Sequence, residues 1–533
     1  MTPTAKAGRR EWLGLAVLVL PCLLVSMDMS VLFFGLPFIS AELAPTSSQL
    51  LWIVDIYGFL LGGLLITMGS LGDRIGRRRL LLIGATAFGA ASVAAAFSSS
   101  AELLIAARAV LGVAGATLAP STLSLIRNMF HDSAQRTLAI SVWTSGFAGG
   151  AVLGPIVGGM LLEHFWWGSV FLINVPAMAL LLVLGPLLLP EFRNPDPDRF
   201  DLISAVLSLA AVLPIINGVK RIAEDVAIGW PAVLSIVAGL TMGALFVRRQ
   251  RRRPDPMIDV KLFRKRSFSV SITVGVLSTF AMLGFALLSS QYMQLVLGLG
   301  PLEAALWNLP TFLAMMVSTT LGALLSRVVR PGYVVGAGLA LTATGFVMLS
   351  RLETGTGIGY LVVSVSVMLF GMGAGMALAT DLVMASAPPG RAGAASAMAE
   401  TGGEFGGALG MAIFGSIGIA VYRADIAGTA PAGLPPEALD AAGETLGGAV
   451  AVAGRVPPEL GAPLLASARE AFTSGIGVTA VAGAVILATA SVLAVVMLRG
   501  IRSSDVAEAT RAAETPEQAG ATADEGKRGT PVG

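Results

Sequence analysis

The chain has 533 residues, 55% of them hydrophobic and 13% charged, with a mean hydropathy of +0.80. A soluble fold cannot cover so much apolar surface, so the composition excludes an ordinary soluble protein and points to an all-α polytopic membrane protein. The net charge of +2 says little, but the basic residues lie in short loops and form no stripe with interleaved aromatics, so nucleic acid is not an expected partner.

At the amino end Lys6, Arg9 and Arg10 precede an apolar stretch over 13–37. It is too long for the core of a signal peptide, contains Asp28 and lacks a small-residue cleavage site, so it reads as the first span. It also holds Cys22, the only cysteine, so no intrachain disulfide is possible. The next stretch, Leu50 to Arg79, combines an acid at Asp55, the full length of a span, a glycine-punctuated turn at Gly69–Asp73, and a basic stop at Arg74, Arg77, Arg78 and Arg79.

Fourteen segments are long enough to cross about 30 Å of hydrocarbon at about 1.5 Å per residue. They are 13–37, 50–71, 80–98, 102–125, 138–162, 169–189, 202–219, 230–247, 268–290, 303–326, 332–350, 357–384, 394–421 and 475–498. With the amino end inside, 28 basic residues fall in cytoplasmic segments and 6 in external ones, among them Lys220 and Arg221 just after span seven; Arg108 alone lies within a span. This asymmetry obeys the positive-inside rule and puts both termini in the cytoplasm. The basic loop Arg248–Arg266 reads as a topology anchor beside anionic lipid. The external segment 423–472 contains Pro435-Pro436-Glu437 and Pro457-Pro458-Glu459, two helix starts that predict an outer hairpin of short helices. The tail 503–533, poor in large apolar residues, is expected to be disordered.

Similarities between spans two and ten, and between spans five and thirteen, suggest a repeat with an offset of eight. The implied domains are a six-span half over 1–190, an inserted helix pair and basic loop over 191–266, and a second six-span half over 267–502, a scaffold suited to alternating access.

Several side chains stand out. Asp28 lies roughly 14 Å, and Asp55 roughly 7 Å, from the outer ends of their spans at about 1.5 Å per residue, so both are reachable from an outward-open cavity and are expected to belong with Arg108 in one proton and cation site. Arg108 lies at a similar depth in span four, where an unpaired guanidinium is costly, so an acid beside it is expected, Asp28 the better candidate. Glu400 and Glu404, one turn apart in span thirteen, share a helix face and form a second acidic patch. Gly146, Gly150, Gly154 and Gly158 recur every four residues, clearing one face of span five for a close neighbour, and Pro155 permits a bend there; static packing and gating both explain this stripe. Tyr57, Trp143, Phe147, Tyr292 and Trp307 are candidate cavity rings for a lipophilic cation. Neither His131 nor His164 has partners at ligand spacing, so no metal site is expected, and no nucleophile–base pair suggests an enzyme.

The run Gly69-Ser70-Leu71-Gly72-Asp73-Arg74-Ile75-Gly76-Arg77-Arg78-Arg79 resembles the loop signature of the major facilitator superfamily. Arg108 with Gly112 and Gly115 resembles its fourth-span motif, and Gly150–Gly159 its fifth-span antiporter motif. Trp52–Tyr57 is similar to the fourteen-span drug:proton antiporters, especially the Qac-type exporters of quaternary ammonium compounds. The resemblance implies a monomeric proton-coupled exporter of lipophilic cations in a bacterial inner membrane, needing no cofactor. It also implies gating by Gly69, Asp73, Arg74, Gly76 and Arg77 together with Gly150, Gly154, Pro155, Gly158 and Arg391, with Asp73 docking on the amino end of span thirteen. Qac-type exporters of divalent cations carry an extra acid in span ten. Here the only acid there is Glu303, at the outer rim, which favours monovalent substrates. Export of a neutral compound, with the acids serving protons alone, and a non-transporting receptor or scaffold remain alternatives.

Overall fold

A computed structural model describes residues 7–193, 201–225, 229–253, 256, 262–326, 328–386, 392–431 and 433–499. Fourteen helices are long and apolar enough to cross a membrane. They are α1 (Arg9–Leu43), α2 (Ser47–Ile75), α3 (Arg77–Ala96), α4 (Ala101–Met129), α5 (Ser133–His164) and α6, in two pieces (Ser169–Leu172, Asn174–Leu188). Then come α7 (Leu202–Asp225), α8 (Trp230–Arg252), α9 (Arg266–Gln291, continued as a π-helical turn Tyr292–Val296) and α10, broken at Asn308 (Pro301–Trp307, Leu309–Leu325). The last four are α11 (Pro331–Leu349), α12 (Ile358–Ser386), α13 (Ala392–Thr429) and α14 (Pro458–Leu498).

The helices begin where the sequence supplies caps. Thr46 accepts from the Gln49 amide at 3.2 Å while the Gln49 side chain accepts from the Thr46 amide at 2.9 Å, a reciprocal box at the start of α2. Asp132 accepts from the Gln135 amide at 2.9 Å to open α5.

The helix pairings show the two halves. α1 packs on α5, α2 on α4 and α3 on α6; the same relations recur as α9 on α13, α10 on α12 and α11 on α14, an offset of eight. Glycines make the closest of these approaches. A Cβ at Gly158 would lie 2.9 Å from Val31, and one at Gly410 would run into the Phe280 carbonyl. The stripe in α5 therefore holds α1 tightly.

α7 and α8 pack on each other, and α7 also touches α2 and α13 at the seam between the halves. The pair is tied at its basic end by Asp201, which takes hydrogen bonds from Ser204 and Arg249 (3.0 Å) and pairs with Arg253. Burial opposes its charge, but the hydrogen bonds from Ser204, Arg249 and Arg253 outweigh it and hold the carboxyl down to about 2. A depressed carboxyl contributes stability above its unfolded value and loses it only as pH falls through about 2, so this tie persists at any physiological pH.

Two boundaries differ from the sequence expectation. α7 does not stop at 219 but continues to Asp225, taking Lys220 and Arg221 out of the external loop and into the helix. The outer hairpin consists of Pro436–Glu444 and Leu446–Ala453, whereas the helix that starts at Pro458 continues without a break as the whole of α14. Arg391 and the tail 503–533 lie outside the described residues.

Candidate functional site

The described side-chain contacts between the two halves gather toward the end of the bundle that carries the hairpin. Ser290 donates to the Phe33 carbonyl at 2.8 Å, and the Glu444 carboxylate accepts from the Ser47 amide at 2.8 Å while pairing with Arg423 at 3.0 Å. Along α2, a Cβ at Gly58 would stand 3.3 Å from Ala408, and one at Gly62 2.9 Å from Glu404. A Cβ at Gly159 would sit 2.6 Å from Leu302. Toward the opposite, arginine-rich end the next acid along α13, Glu400, is exposed, and Glu404 is partly so.

Within the first half, Asp28 and Arg108 form a buried ion pair. Its remaining valences are filled: the Arg108 Nε donates to the Ile53 carbonyl at 3.1 Å, and the guanidinium lies 4.6 Å from the centre of the Tyr57 ring. Asn174 Nδ2 donates to Asp28 at 3.2 Å and to Ser92 at 3.1 Å. The Tyr57 hydroxyl donates to the Val25 carbonyl at 3.3 Å. This is a completed polar network, the condition under which burying two charges becomes tolerable.

Asp55 belongs elsewhere. Residues two apart on an α-helix point about 200° apart. With Ile53 and Tyr57 facing Arg108, Asp55 therefore faces away, toward α7. There its Oδ2 lies 2.9 Å from Nζ of Lys220, both side chains being 0% exposed. The same ammonium stands 4.0 Å from the centre of the Trp52 ring. The expected grouping of Asp55 with Asp28 and Arg108 is thus corrected to two separate pairs on opposite faces of α2. Depth arithmetic carried the missing signal: Asp55 is 20 residues from the basic end of α2 at Ile75, and Lys220 is 18 residues from the basic end of α7 at Leu202. At about 1.5 Å per residue both lie at roughly the same level.

The candidate rings separate. Trp143 donates to Thr122 Oγ1 at 3.0 Å and packs edge-on against Phe147 at 5.1 Å, and the Thr122 hydroxyl also meets Cys22 Sγ at 3.5 Å. Tyr57 is committed to Arg108. Tyr292 is buried in the second half with its hydroxyl on the Glu353 carbonyl at 2.8 Å. Trp307 is 38% exposed on the short piece of α10 before its break.

The loop signature docks on α6. Gly76 adopts φ +109°, and a Cβ there would come within 2.5 Å of Glu191. Glu191 accepts from the Arg78 amide at 3.1 Å and lies 3.6 Å from the Arg78 guanidinium, while the Arg77 amide donates to the Phe192 carbonyl at 2.9 Å. Asp73 pairs with Arg77 at 2.6 Å, Arg74 is exposed, and a Cβ on Gly69 would touch only Pro120 of α4, at 3.7 Å. The described partner of Asp73 is therefore an arginine on α3, not the start of α13. In α5, a Cβ at Gly150 would meet Ser26 at 3.0 Å and one at Gly154 the Met27 carbonyl at 3.1 Å, with Pro155 inside the same helix.

Comparison with known proteins gives a consistent result. The family model described as Major Facilitator Superfamily matches residues 18–411. The chain is 46% identical over 497 residues to the multidrug efflux pump LfrA of Mycolicibacterium smegmatis, covering 93% of this chain and 98% of that protein. It is 36% identical to the methyl viologen resistance protein SmvA of Salmonella typhimurium, covering 87% and 93%. Among solved structures it resembles a bacterial homologue of the human lysosomal transporter Spinster in an inward-facing, unoccupied conformation, with a TM-score of 0.62 at 18% identity over 92% of this chain and 98% of that one.

Proposed function

Because the chain belongs to the major facilitator superfamily and is a multi-pass membrane efflux transporter, we propose that it exports lipophilic cations in exchange for protons by alternating access. The observation that carries this reading is the pair Glu400 and Glu404. They stand one turn apart on α13, Glu400 exposed and Glu404 half-buried against α2 at the seam between the halves, and neither has a cationic partner among the described residues. Two adjacent carboxylates with no fixed counter-charge are a site that a cation or a proton must complete.

Trp143 and Phe147, packed edge-on at 5.1 Å, are the rings this reading assigns to apolar and cation–π contact with the substrate. With the basic end in the cytoplasm, as the concentration of basic residues in its loops indicates, this conformation is inward-facing and closed outward. A cation enters from the cytoplasm onto the deprotonated acids; after the halves rock, protons arriving from outside displace it. Asp28 stays paired with Arg108 inside the first half, whereas Asp55, paired across to Lys220 of α7, exchanges its partner as the halves move. Asp73, Arg74, Gly76 and Arg77 together with the α5 glycines act as the gate, the loop keeping α2, α3 and α6 moving as one body.

Binding of tetraphenylphosphonium and of neutral triphenylphosphine oxide to the purified protein tests the substrate class. Glu404→Gln and Glu400→Gln are expected to weaken the cation at least about tenfold, worth about 1.4 kcal/mol, and to leave the neutral compound unaffected. Equal binding of the cation by wild type and both variants would sink the reading.

A further inference from the structure

The two buried ion pairs made by acids of the first half are built differently. Asp28–Arg108 is completed by Asn174, the Ile53 carbonyl and the Tyr57 face. Asp55–Lys220 has no such support: the ammonium lies 2.9 Å from one carboxylate oxygen, and neither carboxylate oxygen nor Nζ has a well-directed hydrogen bond among the described residues. A buried pair held by a single contact returns little against the cost of desolvating both charges. A pair kept only to fasten α7 to α2 would be better served by apolar residues of the same volume.

What surrounds Nζ is a recognition geometry instead. A carboxylate touches it from one side and the face of an indole stands 4.0 Å away. Carboxylate and indole together are the combination that selects an organic ammonium. The host helix is also placed for it, since α7 lies at the seam, touching both α2 and α13, with Leu209 packed on Gly63.

We propose that Trp52 and Asp55 form a second cation site, for an alkylammonium, which the inserted helix pair fills with Lys220 in this conformation and yields to a substrate cation in the opposite one. The inserted pair thereby takes part in transport as the carrier of a tethered competitor. Only the identity of the incoming cation rests on the export reading; the site itself does not.

Removing the side chain beyond Cβ in Lys220→Ala deletes the equivalent of n-propylammonium, which supplies the probe. Melting temperatures of the full-length protein in detergent are measured with n-propylammonium chloride, with 1-propanol and with sodium chloride. Lys220→Ala is expected to gain about 2 °C or more from propylammonium and nothing from propanol. Wild type and the double variant Asp55→Asn/Lys220→Ala are expected to gain nothing from either. An equal response to propanol, or an equal gain in the double variant, overturns the proposal. If Lys220→Ala is recovered unfolded, cells are grown with each additive. Recovery of folded protein with propylammonium alone supports the site, whereas failure to recover it while the double variant folds overturns it. Because no transport is measured, loss of this site leaves the export reading intact, and a wild type that moves no cation leaves the rescue result standing.

Discussion

Neutralising Asp28 isolates the strongest electrostatic element of the first half. Arg108 is 0% exposed, and in Asp28→Asn it keeps the Ile53 carbonyl at 3.1 Å and the Tyr57 face at 4.6 Å, contacts that are present with or without the acid. What is lost is the charge–charge attraction. Removing one partner of a buried pair costs about 3–5 kcal/mol, from which a surviving neutral hydrogen bond from Arg108 to the asparagine recovers about 1 kcal/mol. The expected loss is therefore about 2–4 kcal/mol for Asp28→Asn. Asp28→Ala should lose more, because Asn174 then keeps only Ser92 as acceptor. Arg108→Met alone leaves a buried carboxylate with Asn174 as its remaining donor, and costs a similar amount. The double variant Asp28→Asn/Arg108→Met removes both charges and should regain most of the loss. Thermal melting of the four proteins in one detergent gives the cycle. Additive losses, with the double variant as unstable as the sum of the singles, would refute the account of the pair.

Three further perturbations test the packing around the site. Gly76→Ala places a Cβ at φ +109° within 2.5 Å of Glu191, so it should lower the melting temperature by an amount equivalent to about 1–2 kcal/mol, and a neutral result would contradict the docking of the loop on α6. Gly154→Leu drives a side chain into α1 at Met27 and Ser30 and should cost about 1–3 kcal/mol together with transport; Gly149→Ala, which meets nothing within 4 Å, is the control expected to behave as wild type in both. Glu444→Ala releases the Ser47 amide and Arg423 together, loosening the hairpin end. In a Cys22→Ser background, maleimide labelling of Leu446→Cys, a buried position, should then be faster, and an unchanged rate would show that the clamp does not hold this end closed.

Much of this was legible in the chain because membranes make few solutions available. Fourteen apolar segments, the alternation of basic loops and the four-residue glycine spacing in span five each follow from a cost that hydrocarbon imposes, and the helices and close α1–α5 contact follow from them. The pairing of Asp28 with Arg108 was reachable for the same reason, since a guanidinium at that depth needs an acid. The partner of Asp55 was not, because Lys220 sits one residue past the apolar run and its charge was read as the start of a loop. A long side chain turned inward lets a helix continue beyond its hydropathy. Asn174, Glu191 and Glu444 carry no sequence signal of their own; each is an ordinary residue until the fold brings a charge or a helix end against it. Trp307 and Tyr292 show the converse, aromatic residues of spans that the fold leaves exposed on a short helix piece or packs with the hydroxyl on a carbonyl.

The exchange of cation for proton is tested most directly by the purified protein in proteoliposomes with an acid lumen and the membrane potential clamped. Tetraphenylphosphonium is predicted to accumulate in the lumen against its gradient, to leave when a protonophore is added, and to fail to accumulate with Glu404→Gln. Accumulation of the same extent after the pH gradient is dissipated would contradict the account.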